Sequence, residues 1–507
     1  MNDANPGKQH ILIVGGGTAG WMTAALMAKS WVPRGFKVTL LESKAIGIIG
    51  VGEGSTPKMR RFFDGLGITE KQWMPACNAT YKCGIRFPNW ATRKGFRSYY
   101  HPFFSQDDDQ TIRAFFQNVT LRNKNFDVHG HPDAFFISAA LARHQRAPVP
   151  MPGTQYSTDY AYHFDAALIG EFLGKFARDN GVHHVIDTVT QVNQDESGNI
   201  TSVETEEHGA IAADFFVDCT GFAGVLINKT LGVPFQSYSD ILFNDRAVAM
   251  PTPLDEEGLP SQTVSTALKY GWVWKIPLTN RFGNGYVYSS QFASEDEAEK
   301  ELREHLGLLD SDVEARHLKM RVGRTTQCWS HNCLAVGLSQ GFIEPLEATA
   351  LMIVQDTVET FMQRYQQGGY SDRFRADVND KVNAIFDGVR NYVFMHYKLN
   401  TRDDTDYWLA NRKNDNVSDD VASILAVWDK GGDLLGELRN QAMRLVYSPT
   451  SWYCILAGMG RFPRKPKKPK RNHEIYNPNE AEAYCDRMVE HFPDHKATVT
   501  AMAENNA

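Results

Sequence analysis

The sequence predicts an α/β fold: a mostly parallel sheet, an interleaved strand-rich region, and a mostly helical C-terminal part. Three observations carry that reading. Residues 10 to 17, HILIVGGG, form a short β-branched apolar run ending in glycines, and TAGWMTAALMAKS continues with apolar residues at helical spacing. A second buried-strand run, DFFVDCTGFAG (214 to 224), also ends in glycines. From residue 343 the pattern turns helical, in EPLEATALMIVQDTVETFMQRY and again through most of 372 to 446.

The elements between follow the same logic. KVTLLES (37 to 43) closes a βαβ unit, and the alternating NITSVETEEHGAIAA before residue 214 predicts a hairpin. Strand-like text continues through RAVAM, GWVWKIPL and GNGYVYSS to about residue 290. In GWVWKIPL (271 to 278) the alternation puts Trp272, Trp274 and Ile276 on one face and Val273 and Lys275 on the other. Pro277 then ends the ladder or marks an edge. No internal repeat or low-complexity linker interrupts the chain. The expected division is residues 1–370 as the α/β unit with its interleaved region and 371–507 as the helical part covering it, with a soft boundary.

Composition narrows the function classes. The 507 residues are 42% hydrophobic and 22% charged with a formal net charge of −7, an ordinary globular balance that gives no general reason to expect nucleic acid as a partner. No window approaches a membrane-spanning apolar run, and MNDANPGKQH lacks the features of a secretion signal, so a cytoplasmic protein without membrane attachment is expected. Seven cysteines without a CxxC pair argue against a disulfide framework and a structural zinc site. No HExxH or His/Cys cluster of ligand spacing appears; HGH (129 to 131) and HH (183 to 184) read as surface histidines, and no metal is expected. The basic, proline-containing RFPRKPKKPKRN (461 to 472) reads as a solvated extended loop, with a docking patch for an anionic partner as the alternative.

The first glycine cluster carries chemistry. Gly15, Gly17 and Gly20 form GxGxxG between a strand and a helix, for the tight turn, close approach to a pyrophosphate, and helix-to-strand packing. Thr18 and Ala19 open the helix that aims its amides at the phosphates. Glu42 stands at the end of the next strand, where a carboxylate accepts hydrogen bonds from ribose hydroxyls. VDCTGFAG supplies a distal element of the kind FAD oxidoreductases use, and no second GxGxxG is available for a nicotinamide domain, so FAD is the expected cofactor.

With that fingerprint, Trp-x-Trp-x-Ile-Pro (Trp272, Trp274, Ile276, Pro277) resembles the signature of the flavin-dependent halogenases, the family that includes the tryptophan halogenases. GVGEGSTP (50 to 57), NATYKCGIRFPNW (78 to 90), YYHPF (99 to 103), VGLSQGFIEPLEATA (336 to 350), HYKLNTRDDTDYW (396 to 408) and SWYCILAGMG (451 to 460) resemble that family's blocks, in its order and over nearly the whole chain. The resemblance implies a three-layer FAD-binding fold like that of aromatic flavin monooxygenases. It also implies reduced FAD from a separate, transiently bound flavin reductase. Oxygen and a halide ion would then give hypohalous acid, which crosses a tunnel to a small aromatic substrate behind a Trp272–Trp274 wall.

The resemblance also assigns residues. Lys82 matches the lysine that holds hypohalous acid, as an ammonium that polarises it or as an amine that carries the halogen. Glu347 matches the carboxylate that stabilises the arenium cation and accepts its proton. The amides of Thr349 and Ala350 would bind halide; His101, Phe103, Trp452 and Tyr453 would surround a flat ring. Gly52, Glu53 and Gly337 join the cofactor set, the first two from a glycine-rich strap, GIIGVGEGSTP (47 to 57), expected to run between the flavin and substrate compartments. The chain departs from the family where tryptophan halogenases read Glu-Ser-Thr-Gly and it reads Glu347-Ala348-Thr349-Ala350. Ala348 lacks a hydroxyl for the lysine and Ala350 lacks glycine's conformational freedom, which motivates bromide over chloride. With no clear counterpart of the segment that clamps free tryptophan, indole or another electron-rich aromatic is the expected substrate. An aromatic hydroxylase that reduces its own flavin, and a non-catalytic flavoprotein, are the rival readings; a homodimer is compatible with either.

Overall fold

The computed structural model describes residues 9–44, 52–256, 258–463, 468 and 474–504. At its centre is a six-stranded sheet in the order Trp329–Ser330, Cys333–Ala335, Phe215–Asp218, His10–Val14, Lys37–Glu42, His183–Ile186, parallel except for its first pair. Its inner strands are buried on both faces, which is why they read as apolar runs, while the edge strand His183–Ile186 is partly exposed. Ile11, Ile13, Val38 and Leu40 join the core with Trp21, Met22 and Ala25 of the helix Thr18–Ser30. Leu12, Val14, Leu41 and Phe216 face the other way, onto Ile200 and Val203. Those two belong to an antiparallel meander, Val189–Gln194, Ile200–Thr205 and Gly209–Ala212, which contains the expected hairpin. Helices, parallel sheet and meander make the three layers.

The interleaved region forms a seven-stranded mixed sheet in the order Arg316–Lys319, Arg246–Thr252, Phe282–Tyr288, Gly271–Pro277, Thr263–Ala267, Gly84–Pro88, Ser98–Pro102. Gly271–Pro277 is thus a central strand, paired on both sides. Its faces divide as the alternation predicts: Trp272, Trp274 and Ile276 enter the main core and Val273 a separate apolar cluster. Pro277 is its last residue, where the missing N–H interrupts no further ladder. A small sheet, Gly52–Gly54, Ala161–Asp165 and Thr80–Lys82, ties the end of the strap to the lysine strand.

From residue 350 the chain is helical, with Ala350–Gln367 and the 25-residue Arg375–Leu399 the longest helices. Among the described residues no helix is long and apolar enough to cross a membrane. Residues 47–51 of the strap and most of the basic stretch 461–472 lie outside the described residues.

Candidate active site

The glycine turn is built as its spacing demands. Gly15 is left-handed (φ 114°), where a side chain would strike the Cys219 carbonyl, and a side chain at Gly20 would strike the carbonyl of Gly15. Gly17 faces open space, with no atom within 4 Å of where a Cβ would stand. The helix Thr18–Ser30 starts there without a side-chain cap and with no acidic residue in its first turn, so its N-terminus is left to an anion. Beside the turn a cavity of about 330 Å³ is lined by Gly16, Trp21, Glu42, Gly170, Glu171 and Arg178. The Glu42 carboxylate lies against Gly16 and accepts a hydrogen bond from His184 Nε2 at 2.8 Å. His184, half-buried, is therefore a partner of the cofactor-side carboxylate and not simply a surface residue. Gly337 (φ 73°) packs against Ala19, bringing a second loop to this end of the helix. Asp218 anchors the distal element by accepting from the amides of Thr220, Leu226 and Ile227. These residues fit a dinucleotide. Gly52 is buried against Ile276 and Gly283 and pairs with Asp165, whose neighbour Ala166 accepts a hydrogen bond from Thr18 Oγ1 at 3.4 Å, and burial and then Asp165 push the Glu53 carboxyl up to about 7.

A second constellation gathers around Lys82 and Glu347. Lys82 is fully buried; its ammonium donates to the Ser55 carbonyl at 3.0 Å and stands 5.6 Å from the Phe103 ring centroid. Burial pulls its pKa down to about 7 against the opposing pull of the Glu347 charge. Gly54 is the close neighbour of this group: a Cβ there would lie 3.2 Å from Lys82 Nζ and 3.6 Å from Ala348 Cβ. Glu347 ends a short turn, Pro345–Glu347, and Ala348 is left-handed (φ 55°) before the helix begins at Ala350. The residue that bears the conformational demand of this segment is thus Ala348. Ala350 is helical and needs none of glycine's freedom, because the chain reverses two residues earlier.

The Glu347 carboxylate is held by two histidines. His101 Nδ1 donates to Oε2 at 2.9 Å while His101 Nε2 meets Ser451 Oγ at 2.9 Å, and His396 Nε2 lies 3.1 Å from Oε1. Burial pushes the carboxyl up, but His101 and then His396 outweigh it and hold the pKa at about 2, so Glu347 is an anion. His101 therefore has both ring nitrogens engaged, and only its face is free for stacking. Trp452 is buried edge-on to Tyr392, which stacks on Tyr447 near His101. Tyr453, next along the same helix, turns about 100° away and packs on Phe116 and Trp428, so it is not brought to this cluster. Thr349 is buried and caps the helix with no side-chain hydrogen bond, leaving the first-turn amides to another acceptor.

Sequence reasoning missed three groups here: His396, Ser451 and Glu344. Glu344 is a buried carboxylate whose Oε2 accepts from Trp272 Nε1 (3.0 Å), Asn244 Nδ2 (2.8 Å) and the Tyr397 hydroxyl (2.7 Å). The available signal was a histidine set in the apolar run VFMHY and a second glutamate three residues before Glu347.

A three-layer α/β fold with a glycine turn that suits a dinucleotide, together with a buried lysine and carboxylate, is the layout of a flavoenzyme. The chain belongs to the tryptophan halogenase family, whose pattern spans residues 10–473. It is 43% identical over 458 residues to the tryptophan 6-halogenase SttH of Streptomyces toxytricini, covering 84% of this chain and 85% of that one. The 7-chloro-L-tryptophan 6-halogenase KtzR of Kutzneria is 40% identical over 484 residues, 89% of this chain and 90% of that one. The crystal structure of SttH superimposes with a TM-score of 0.83 over 98% of this chain and 100% of that chain, at 37% identity. The protein is therefore a flavin-dependent enzyme of the halogenase class that uses FAD, on the FAD-binding fold expected from the sequence.

Proposed function

We propose that the protein halogenates the ring of an indole compound, with reduced FAD delivered by a separate flavin reductase. The observation that carries this reading is the burial of Lys82 and Glu347 together in a member of this family. Gly15, Gly17, Thr18, Ala19, Gly20, Glu42 and Gly337 would hold the FAD, which when bound and reduced supplies, with oxygen and halide, the hypohalous acid. The amides of Thr349 and Ala350 bind the halide. Lys82 receives the hypohalous acid: with a pKa near 7 it presents both an ammonium that polarises the halogen and an amine that can carry it. The anionic Glu347 stabilises the cationic ring and takes its proton. Phe103, the face of His101 and Trp452 orient the ring.

The names of the relatives favour L-tryptophan as the substrate, while the absence of a recognisable amino-acid clamp in the sequence favours indole itself; both carry the ring the site is read to accept. The test is incubation with a flavin reductase, FAD, NADH, oxygen and bromide or chloride over L-tryptophan, indole and a phenol, read by the halogen isotope pattern in mass spectra. Oxygenated product formed without halide would support the hydroxylase reading instead.

A further inference from the structure

Glu344 is a second buried carboxylate, three residues before Glu347, and it has no part in the scheme above. Its Oε2 collects donors from three separate elements: Trp272 of the strand Gly271–Pro277, Asn244 on the connection before Arg246–Thr252, and Tyr397 of the helix Arg375–Leu399. Asn244 is fixed in turn, since it donates to the Tyr397 hydroxyl at 2.9 Å and accepts from the Tyr407 hydroxyl at 2.9 Å. Donors from three directions leave the carboxylate one position, and pulling it away would strand buried polar groups. The link from Glu344 to Glu347 is short and stiff. The ring of Pro345 fixes its φ, the Leu346 amide donates to the Glu344 carbonyl at 2.9 Å, and the Ala348 amide donates to the Pro345 carbonyl at 3.1 Å. Consecutive residues of one helix grip both ends of this turn: Tyr397 holds Glu344 at 2.7 Å, and His396 Nε2 lies 3.1 Å from Glu347 Oε1.

Resting on the halogenation reading above, we propose that Glu344 is a positioning residue for that reaction: it sets the turn Pro345–Glu347 at the one distance from the helix at which the Glu347 carboxylate meets both His101 and His396. Glu344 touches no substrate and moves no proton. What it contributes is reach, the length of side chain that spans from the turn to its three donors. With the turn displaced, the oxidant is still made at the flavin but meets a ring whose stabilising carboxylate is out of place, and it is lost to solvent instead of entering product.

Two variants separate reach from charge. Glu344→Gln keeps the reach and an acceptor; Glu344→Asp keeps the carboxylate but is one methylene shorter, so meeting the same donors draws the turn toward them. The quantity read is halogenated product per reduced flavin consumed, with a flavin reductase, bromide and either indole or L-tryptophan. Glu344→Asp should lower that yield by about tenfold or more, and Glu344→Gln should stay within about threefold of wild type. Affinity for FAD, read from flavin fluorescence, should be unchanged in both. An undiminished yield in Glu344→Asp, a loss in Glu344→Gln as large as that in Glu344→Asp, or FAD affinity falling in step with the yield overturns the proposal. Crystal structures of the two variants make the same distinction without turnover: Glu347 should leave His101 and His396 in Glu344→Asp and keep them in Glu344→Gln, and intact contacts in Glu344→Asp overturn the proposal. Absence of halogenated product from the wild type would refute the functional reading, and the two structures would still decide whether Glu344 places Glu347.

Discussion

Lys82→Met should remove halogenation and make the protein more stable. The lysine is fully buried, its one carbonyl acceptor is Ser55 O at 3.0 Å, and its pKa is lowered to about 7 from an ordinary 10.5. Below about pH 7 both folded and unfolded chains hold the proton and the folded state bears the whole cost of burying it. Between about 7 and 10.5 only the unfolded chain holds it, so stability rises with pH across that window. At neutral pH the cost is roughly 4 kcal/mol, reduced by about 1 kcal/mol for the hydrogen bond to Ser55 that methionine forfeits. Methionine, similar in length and apolar, should therefore gain about 3 kcal/mol. With an unfolding entropy of about 1 kcal/mol/K for a chain of this length, the unfolding midpoint should rise by about 3 °C. Scanning calorimetry at pH 7 and near pH 10 reads this directly: the gain is present at the first and essentially gone at the second. Product formation is measured alongside, with reduced flavin still being oxidised. A variant less stable than wild type at neutral pH, a gain that does not shrink as pH rises, or retained halogenation would refute the reasoning.

Three further outcomes follow from the same geometry. Gly54→Ala puts a methyl 3.2 Å from Lys82 Nζ, so halogenation should drop by about tenfold or more through displaced geometry while flavin oxidation continues; an unaffected rate of product formation would show that Nζ has room to give. Trp272→Phe removes one of the three donors to Glu344 and should lower stability by about 1–2 kcal/mol in thermal unfolding, yet disturb halogenation less than Lys82→Ala does. Bromide and chloride at equal concentration should yield mainly brominated product, since Glu347-Ala348-Thr349-Ala350 alters the geometry of the segment where tryptophan halogenases read Glu-Ser-Thr-Gly; mainly chlorinated product, read from isotope patterns, would overturn the preference.

Much of the fold was legible because its elements obey local rules. The strand His10–Val14 is doubly buried and reads as an apolar run, and Gly15 and Gly20 after it have separate steric reasons in the fold. The face division of Gly271–Pro277 followed from a period of two. What was not legible depends on tertiary placement. Nothing local in VFMHY says that the imidazole of His396 will meet a carboxylate 49 positions earlier, or that Ser451 will meet His101 from 350 positions away. A left-handed alanine at 348 is likewise invisible in a sequence, because the usual marker for that conformation is glycine or asparagine. The pKa of Lys82 comes from complete burial on a three-residue strand, Thr80–Lys82, whose pattern alone suits an exposed edge equally well.

The two tryptophans of Gly271–Pro277 acquire a mechanical reason from these contacts. Ile276 packs on Gly52, at the start of the strand that leads within three residues to the Ser55 carbonyl holding Lys82. Trp274 lies flat over Gly285 on the neighbouring strand, where any side chain would collide with the indole. Trp272 donates to Glu344, three residues before Glu347. One central strand, hydrogen-bonded on both edges, therefore sets the position of the lysine's acceptor at one end and of the carboxylate's turn at the other. Ile276 reaches the first and Trp272 the second, and the two indoles fill the interval with rigid apolar surface. A strand chosen only to screen the flavin would need bulk, but no indole N–H directed at a buried carboxylate; that hydrogen bond makes the wall part of the alignment of Lys82 with Glu347.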